Sequence, residues 1–303
     1  MGICDDRVVI VTGAGRGIGR EHALLLAREG ALVVVNDVGA ARDGTGGDHS
    51  PAQQVVAEIE AAGGVAIANA SSVSSWEGAQ HLIDTAVETF GDLHAVINNA
   101  GILRDRFLFN MTEDEWDSVI DVHLKGTFAT SRWAATYWRE RSKAGAAVDA
   151  RIVNTTSVSG LYGNPGQTNY GAAKAGIAMF TNIAALELGR YGVTVNAVAP
   201  NALTRMTEGL IPDGDKELFA PRWIAPMVCW LASEQSRGIT GRVFEVSGDV
   251  LAIAEGWHRG PRTAPIDDPG RLDEVVRGLL ADARPNAGMD GDDGTPPQPP
   301  VGP

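Results

Sequence analysis

The sequence predicts a doubly wound α/β fold, and three observations carry that reading. From Arg7 to about Gly248, short β-branched runs alternate with longer amphipathic stretches, as a parallel sheet flanked by helices requires. A glycine-rich turn, Thr12-Gly13-Ala14-Gly15-Arg16-Gly17-Ile18-Gly19, directly follows the first run and opens a helix. No internal repeat at solenoid spacing competes with this reading.

Taken in order, the apolar runs predict strands over Val8–Thr12, Leu32–Asn36, Val65–Ala68, Ala95–Asn98, Ile152–Thr155, Thr194–Ala199 and Val243–Val246. The stretches between them predict helices over Gly17–Glu29, Ala52–Ala62, Trp76–Phe90, Glu113–Ser142, Thr168–Arg190 and Trp223–Ala232. Seven strands in βα alternation imply a seven-stranded parallel sheet, because right-handed crossovers place helices on both faces. The expected organisation is one domain over residues 1–254 and a C-terminal extension over 255–303. Nine of the 15 prolines fall in that extension. Within it, Leu272, Val275, Val276, Leu279 and Leu280 lie at helical spacing and predict one helix over 269–284, which either packs on its own subunit or docks a partner. The Pro/Gly/Asp-rich end, MDGDDGTPPQPPVGP, cannot pack a core and is expected to be mobile.

Composition narrows the function. The chain has 303 residues, 44% hydrophobic and 21% charged, which suffices for one sizeable core. Its net charge of -13 and lack of any basic run argue against nucleic acid. No apolar stretch approaches the ~18 residues of a spanning helix, and the acidic start MGICDD is neither a secretory signal nor, with Asp6 where Ser or Thr is required, a myristoylation signal. Cys4 and Cys229 are too few for a disulfide framework, so a reducing cytoplasm is the expected compartment. The six histidines show no ligand spacing, and no metal is expected.

The glycine turn permits close approach of a pyrophosphate, whose charge the N–H groups and dipole of the following helix would meet. The second strand ends at Asn36-Asp37, 24 positions beyond Gly13, where an acid that binds a ribose diol is expected. Asp37 would repel a 2′-phosphate and so selects NAD over NADP. Arg16 pulls the other way, since a basic residue in this turn can reach such a phosphate.

Downstream, Tyr170 and Lys174 stand four apart in an expected helix, on one face and about one turn apart, with Ser157 thirteen positions before Tyr170 at a strand end. A phenol of pKa about 10 is a poor base at neutral pH, and a neighbouring ammonium is what can lower it. Ser157 would hold a substrate oxygen where Tyr170 can exchange a proton while a hydride moves.

Together with TGAGRGIG and Asn98-Asn99-Ala100-Gly101, these residues resemble the short-chain dehydrogenase/reductase family, over nearly all of residues 7–248. The resemblance implies a Rossmann-like fold, and it assigns Ser157, Tyr170 and Lys174 to catalysis. It places Gly13, Arg16, Gly17, Ile18, Gly19, Asp37, Ser71, Ser72, Val73, Asn99, Ala100, Gly101, Tyr170, Lys174, Pro200 and Leu203 at the cofactor, and Tyr162 and Arg205 at the substrate. Dimers or tetramers through the two long helices are also implied. Three positions depart from the family pattern. His123 stands where an Asn usually completes a proton relay; its imidazole either carries a proton or binds a water, or is a helix histidine satisfied by backbone groups. Ser71 replaces an Asp at the adenine, and Pro200-Asn201 replaces a Pro-Gly start.

The segments VVNDVG (34–39), NNAGILRDR (98–106), VHLKGTF (122–128), GLYGNPGQTN (160–169) and APNALTRM (199–206) resemble the (3R)-hydroxyacyl-CoA dehydrogenase part of peroxisomal multifunctional enzyme type 2, also known as 17β-hydroxysteroid dehydrogenase type 4-like. The resemblance implies oxidation of a 3-hydroxyacyl-CoA with NAD by a stand-alone dehydrogenase. Arg104, Arg106 and Arg205 then become candidate partners for a CoA phosphate, or else they are ordinary ion-paired arginines. The segment 203–219 is either a mobile substrate lid or a passive loop. A hydroxysteroid dehydrogenase and a 3-oxoacyl-[acyl-carrier-protein] reductase remain as enzyme alternatives, and a catalytically silent NAD-binding regulator as one of another class.

Overall fold

The computed structural model describes residues 2–48, 50–202 and 217–293. Its strands are β1 (Val8–Thr12), β2 (Leu32–Asn36), β3 (Val65–Asn69), β4 (Ala95–Asn98), β5 (Ala150–Thr155), β6 (Val193–Pro200), β7 (Val243–Val246) and β8 (Leu251–Ala254). They form one sheet in the order β3-β2-β1-β4-β5-β6-β7-β8. All neighbouring pairs are parallel except β7 and β8. The seven expected parallel strands are therefore present, and an antiparallel eighth extends the edge. The added strand follows a tight turn in which the Ser247 hydroxyl accepts the Val250 N–H at 3.1 Å. Its four residues, LAIA, stay largely exposed, so no alternation marks them as a strand.

The helices are α1 (Gly17–Arg28), α2 (Ser50–Ala61), α3 (Trp76–Phe90), α4 (Glu113–Ile120), α5 (Gly126–Lys143), α6 (Val158–Leu161), α7 (Thr168–Leu188), α8 (Ala225–Ala232) and α9 (Leu272–Asp282). The expected helix Glu113–Ser142 is α4 and α5 joined through a π-helical stretch, Asp121–Lys125. The helix expected over 269–284 is α9, preceded by a 3-10 turn at Pro269–Arg271. The Pro-rich end from 294, like Leu203, Arg205 and most of the segment 203–219, lies outside the described residues. No helix among the described residues is long and apolar enough to cross a membrane.

Side-chain alternation along the strands sorts the core onto two faces. Val9, Val11, Val33 and Val35 pack with Leu26, Ile59, Val228 and Leu231 of α1, α2 and α8. Val8, Ile10, Val34 and Ile152 pack with Leu82, Ile83, Trp138 and Ala185 of α3, α5 and α7. Each fully buried aliphatic side chain is worth about 1.5–3 kcal/mol. These two layers hold the strand ends in fixed register, so the loops at the C-terminal ends of β1, β2, β4, β5 and β6 converge at one edge.

The opposite edge is tied by charge. Arg151, almost wholly buried, makes a two-pronged bond to Asp149 at 2.8 and 3.0 Å and donates through Nε to the Ser233 carbonyl at 3.0 Å. Arg7, also buried, reaches Asp149 at 3.4 Å. Burial pushes the Asp149 carboxyl upward, but bonds to Arg151 and Arg237 outweigh it and hold the group below the usual carboxylate range. Removing one partner of such a network strands the others without water. Asp149→Ala is therefore expected to cost about 3 kcal/mol of unfolding free energy, read from urea midpoints at constant slope. Wild-type stability in the variant would refute this account.

Candidate active site

The first loop is laced to the fourth strand by side chains that the glycine turn itself lacks. The Thr12 hydroxyl accepts the N–H groups of Asn99 and Ala100 at 3.0 and 3.1 Å, and the Asn99 amide donates to the carbonyls of Thr12 and Gly13. Gly13 sits at φ +63°, and an added Cβ would lie 2.8 Å from the Ala100 backbone. A Cβ on Gly19 would lie 2.2 Å from the Gly13 carbonyl oxygen. Nothing larger than hydrogen fits at either position. The N-terminus of α1 carries no side-chain cap, so its first N–H groups face the cleft beside Gly17, Ile18 and Gly19.

Asp37 closes the far end of this loop. Its carboxylate accepts the N–H of Gly15 at 2.8 Å and of Gly39 at 2.7 Å, one through each oxygen. Each oxygen keeps a second lone pair for a hydroxyl donor. The resulting cleft, about 310 Å³, is bordered by every described residue that the sequence assigned to the cofactor, from Gly13 to Pro200, with Ser71, Ser72 and Val73 on one wall. A dinucleotide fits this donor set: bare helix N–H groups for a pyrophosphate, and an oriented carboxylate for a diol. Sequence reasoning missed the loop after β2, whose Ala40, Ala41, Arg42 and Gly44 also border the cleft.

The proton-transfer candidates come from the β5–α7 region. Ser157 follows β5 and opens α6, its hydroxyl accepting the Ser159 N–H at 3.1 Å. Gly160 lets α6 press against α7, since a Cβ there would lie 2.6 Å from the Lys174 Cβ. That close approach brings the Ser157 hydroxyl beside Tyr170, where it draws the phenol downward. Burial is the larger effect and pushes Tyr170 up to about 12. The Lys174 Nζ donates to the Thr155 carbonyl at 2.6 Å and stands 5.5 Å from the Tyr170 ring centre. Burial lowers its ammonium to about 7. Both shifts have one cause, a deep site with little water, and both weaken once the pair shares a charge: phenolate formation would stabilise the ammonium.

His123 lies in the π-helical stretch, edge-on to Tyr170 with ring centres 5.2 Å apart. Gly101 leaves room for it, a Cβ there falling 2.4 Å from the imidazole. Its Nε2 meets both backbone groups of Ile102, the carbonyl oxygen at 2.8 Å and the N–H at 3.1 Å, so either tautomer finds a partner there. Nδ1 is buried without a partner. Burial, and then the Lys174 charge, hold the ring at about 3. It is neutral at ordinary pH, with backbone partners at Nε2 and none at Nδ1.

The remaining assignments sit elsewhere. Tyr162 does not border the cleft; its hydroxyl donates to Glu245 and its ring meets Gly291 of the C-terminal extension. Arg104 and Arg106 are ion-paired, with Asp114 at 2.6 Å and Glu115 at 3.0 Å, as the ordinary alternative to a phosphate role had it. A buried polar chain was also missed. The Asn98 amide donates to Asn154 at 2.9 Å, and the Asn154 amide donates to Thr181 of α7 at 2.9 Å. It fixes α7, and with it Tyr170 and Lys174, against the sheet.

A tyrosine and a lysine border a cleft that suits a dinucleotide, with a serine beside the tyrosine, an arrangement that an oxidoreductase can use. The short chain dehydrogenase family matches residues 7–213, and this chain belongs to the short-chain dehydrogenase/reductase family, as an oxidoreductase of CH–OH groups. A crystal structure of a short chain dehydrogenase from Mycobacterium avium superimposes with a TM-score of 0.86 at 56% identity, covering 94% of this chain and 98% of that one. The hydroxyacyl-CoA dehydrogenase ChsB1 of Mycobacterium tuberculosis is 44% identical over 290 residues, 91% of this chain and 89% of its own. The mouse peroxisomal multifunctional enzyme type 2 is 43% identical over 253 residues; these are 84% of this chain but 32% of that larger protein. Members of the family typically use NAD or NADP.

Proposed function

We propose that this chain interconverts a 3-hydroxyacyl-CoA and its 3-oxoacyl-CoA with NAD, using Tyr170 as the proton-transfer residue. The observation that carries the reading is that Tyr170 and Lys174, with Ser157 beside Tyr170, border one end of a cleft whose other end is closed by Asp37. When bound, the dinucleotide supplies the hydride acceptor or donor. Ser157 then holds the substrate oxygen against the Tyr170 hydroxyl, Tyr170 takes or gives the proton at that oxygen, and Lys174 favours the phenolate by its charge. His123 stays neutral, its ring packed edge-on to Tyr170 and its Nδ1 buried. The α1 N-terminus and Asp37 hold the two ends of the cofactor, and the Asp37 charge disfavours a 2′-phosphate. The acyl-CoA assignment draws on the relatives named for that substrate. Assembly through α5 and α7, where Phe128, Met179, Ile183 and Leu186 are exposed, belongs to the same reading, and sedimentation checks it.

The test is NADH or NADPH formation with both cofactors in parallel, across 3-hydroxyacyl-CoA esters of different length and a set of hydroxysteroids. NAD-linked turnover of the CoA esters is the expected result. Turnover of steroids alone would overturn the acyl-CoA assignment, and a clear NADP preference would overturn the role given to Asp37. A neutral Tyr170 phenol suits ketone reduction, so the 3-oxoacyl reductase direction is assayed beside it.

A further inference from the structure

The loop between β2 and α2 carries glycines at positive φ at Gly39, Gly44 and Gly46, and its tip is exposed. Left to its own turn bonds, such a segment would be loose: Ala41 N–H to the Thr45 carbonyl at 2.8 Å, and Asp43 to the Thr45 N–H and hydroxyl. Yet it borders the cofactor cleft through Ala40, Ala41, Arg42 and Gly44. Three contacts press its tip onto one strip, Ile102–Arg104. The Leu103 N–H donates to the Arg42 carbonyl at 3.1 Å, Arg104 Nε donates to the Asp43 carbonyl at 2.9 Å, and Gly44 packs on the Ile102 side chain.

The same strip is gripped from the other side by the catalytic helix. The Arg104 carbonyl accepts the side-chain amide N–H of Asn169 at 3.0 Å, and the Asn169 Oδ1 accepts the Tyr170 N–H at 2.8 Å. Asn169 is fully buried. The Ile102 backbone meets His123, which stands edge-on to Tyr170. Arg104 is thereby held at three points: its carbonyl on α7, its Nη1 on Asp114 of α4 at 2.6 Å, and its Nε on the cofactor loop.

We infer that Arg104 is a positioning residue that latches the loop over residues 38–48 onto the cleft and so retains the dinucleotide, using the catalytic helix as its anchor. The cofactor part of this statement rests on the reading of the cleft given above; the latch itself does not. A charged donor on a carbonyl is a stronger tie than a neutral hydrogen bond, and its guanidinium fork serves Asp43 and Asp114 at once. Losing it leaves the loop its internal turn, one backbone bond to the strip and the packing of Gly44 on Ile102. Arg104 touches neither Tyr170 nor the proton path, so the expected effect falls on cofactor affinity and release and not on the chemical step.

The test uses trypsin, because the Arg42–Asp43 bond lies in the latched tip. Cofactor-free wild type and Arg104→Ala are digested under native conditions, cleavage after Arg42 is followed by mass spectrometry, and NADH affinity is measured by fluorescence titration. About ten-fold faster cleavage at Arg42 and about ten-fold weaker NADH binding are expected in the variant, with kcat at saturating cofactor unchanged. Arg104→Lys keeps a cation for Asp114 but has no Nε donor for Asp43, and it guards against a misfolded alanine variant; intermediate cleavage is expected there. Wild-type cleavage rates in both folded variants would overturn the latch. Faster cleavage in a protein that binds no NADH even as wild type would leave the latch standing and overturn the cofactor reading instead.

Discussion

Tyr170→Phe is expected to lower turnover by about 10²–10⁴-fold, the range that a positioned proton-transfer group supplies, while NADH binding stays unchanged. The substitution removes only the hydroxyl. The ring keeps its edge contact with His123 and its place above the Lys174 Nζ, so the wall of the cleft survives. What is lost is the donor or acceptor that meets the substrate oxygen, together with the influence of the neighbouring Ser157 hydroxyl on it. The wild-type pH profile carries the same residue. With Tyr170 held up near 12 by burial, the phenol is protonated at neutral pH and ready to donate in ketone reduction. Alcohol oxidation needs it to accept a proton, so its kcat/KM should climb with pH, about ten-fold per unit below the apparent pKa of the Tyr170–Lys174 pair. Steady-state rates in both directions across pH, alongside a fluorescence titration of NADH, read all of this. Equal turnover in Tyr170→Phe would remove the residue from the mechanism.

Much of this arrangement is legible in the sequence because its physical causes are local. β1, β2, β4 and β7 are continuous apolar runs bounded by turn residues, and their observed limits are those the sequence predicts. The cofactor-side loops are legible for a similar reason, since glycines at fixed offsets from a strand have few other uses. What escapes depends on contacts between distant segments. The π-helical stretch leaves no mark, because Val122-His123-Leu124-Lys125 reads like any helical turn; its cause is the approach of His123 to Gly101. Arg104 and Arg106 read equally as phosphate partners or as ion-paired arginines until α4 places Asp114 and Glu115 beside them. Asn98 and Asn154 read as strand-end polar residues, and only the sheet shows them bonded to each other within the core. The seat of the loop over residues 38–48 on Ile102–Arg104 has no local signature in the sequence and is a tertiary fact.

The two buried histidines predict how the fold responds to acid. His22 on α1 is almost wholly buried with neither ring nitrogen bonded, and burial alone takes it from 6.5 to about 3. His123 reaches the same value through burial and the Lys174 charge, against the favourable Ile102 carbonyl. In each case the folded pKa lies below the unfolded one, so the unfolded chain binds the proton more tightly. The contribution of the two histidines is therefore fully present above about pH 6.5 and is lost as pH drops toward 3. One pKa unit is worth about 1.4 kcal/mol, so each ring removes about 4–5 kcal/mol across that window. Two together are comparable with the whole stability of an ordinary domain, about 5–15 kcal/mol. Cooperative unfolding is expected between about pH 6 and 4, before most carboxylates are protonated. His22→Leu fills the same space without a titrating group, and it should roughly halve the slope of urea-derived stability against pH. It should also raise stability near neutrality, since two unpartnered nitrogens leave the core. An unchanged slope would place the acid response on carboxylates held below their usual range, Asp149 foremost, whose protonation weakens the fold with the same sign but at lower pH.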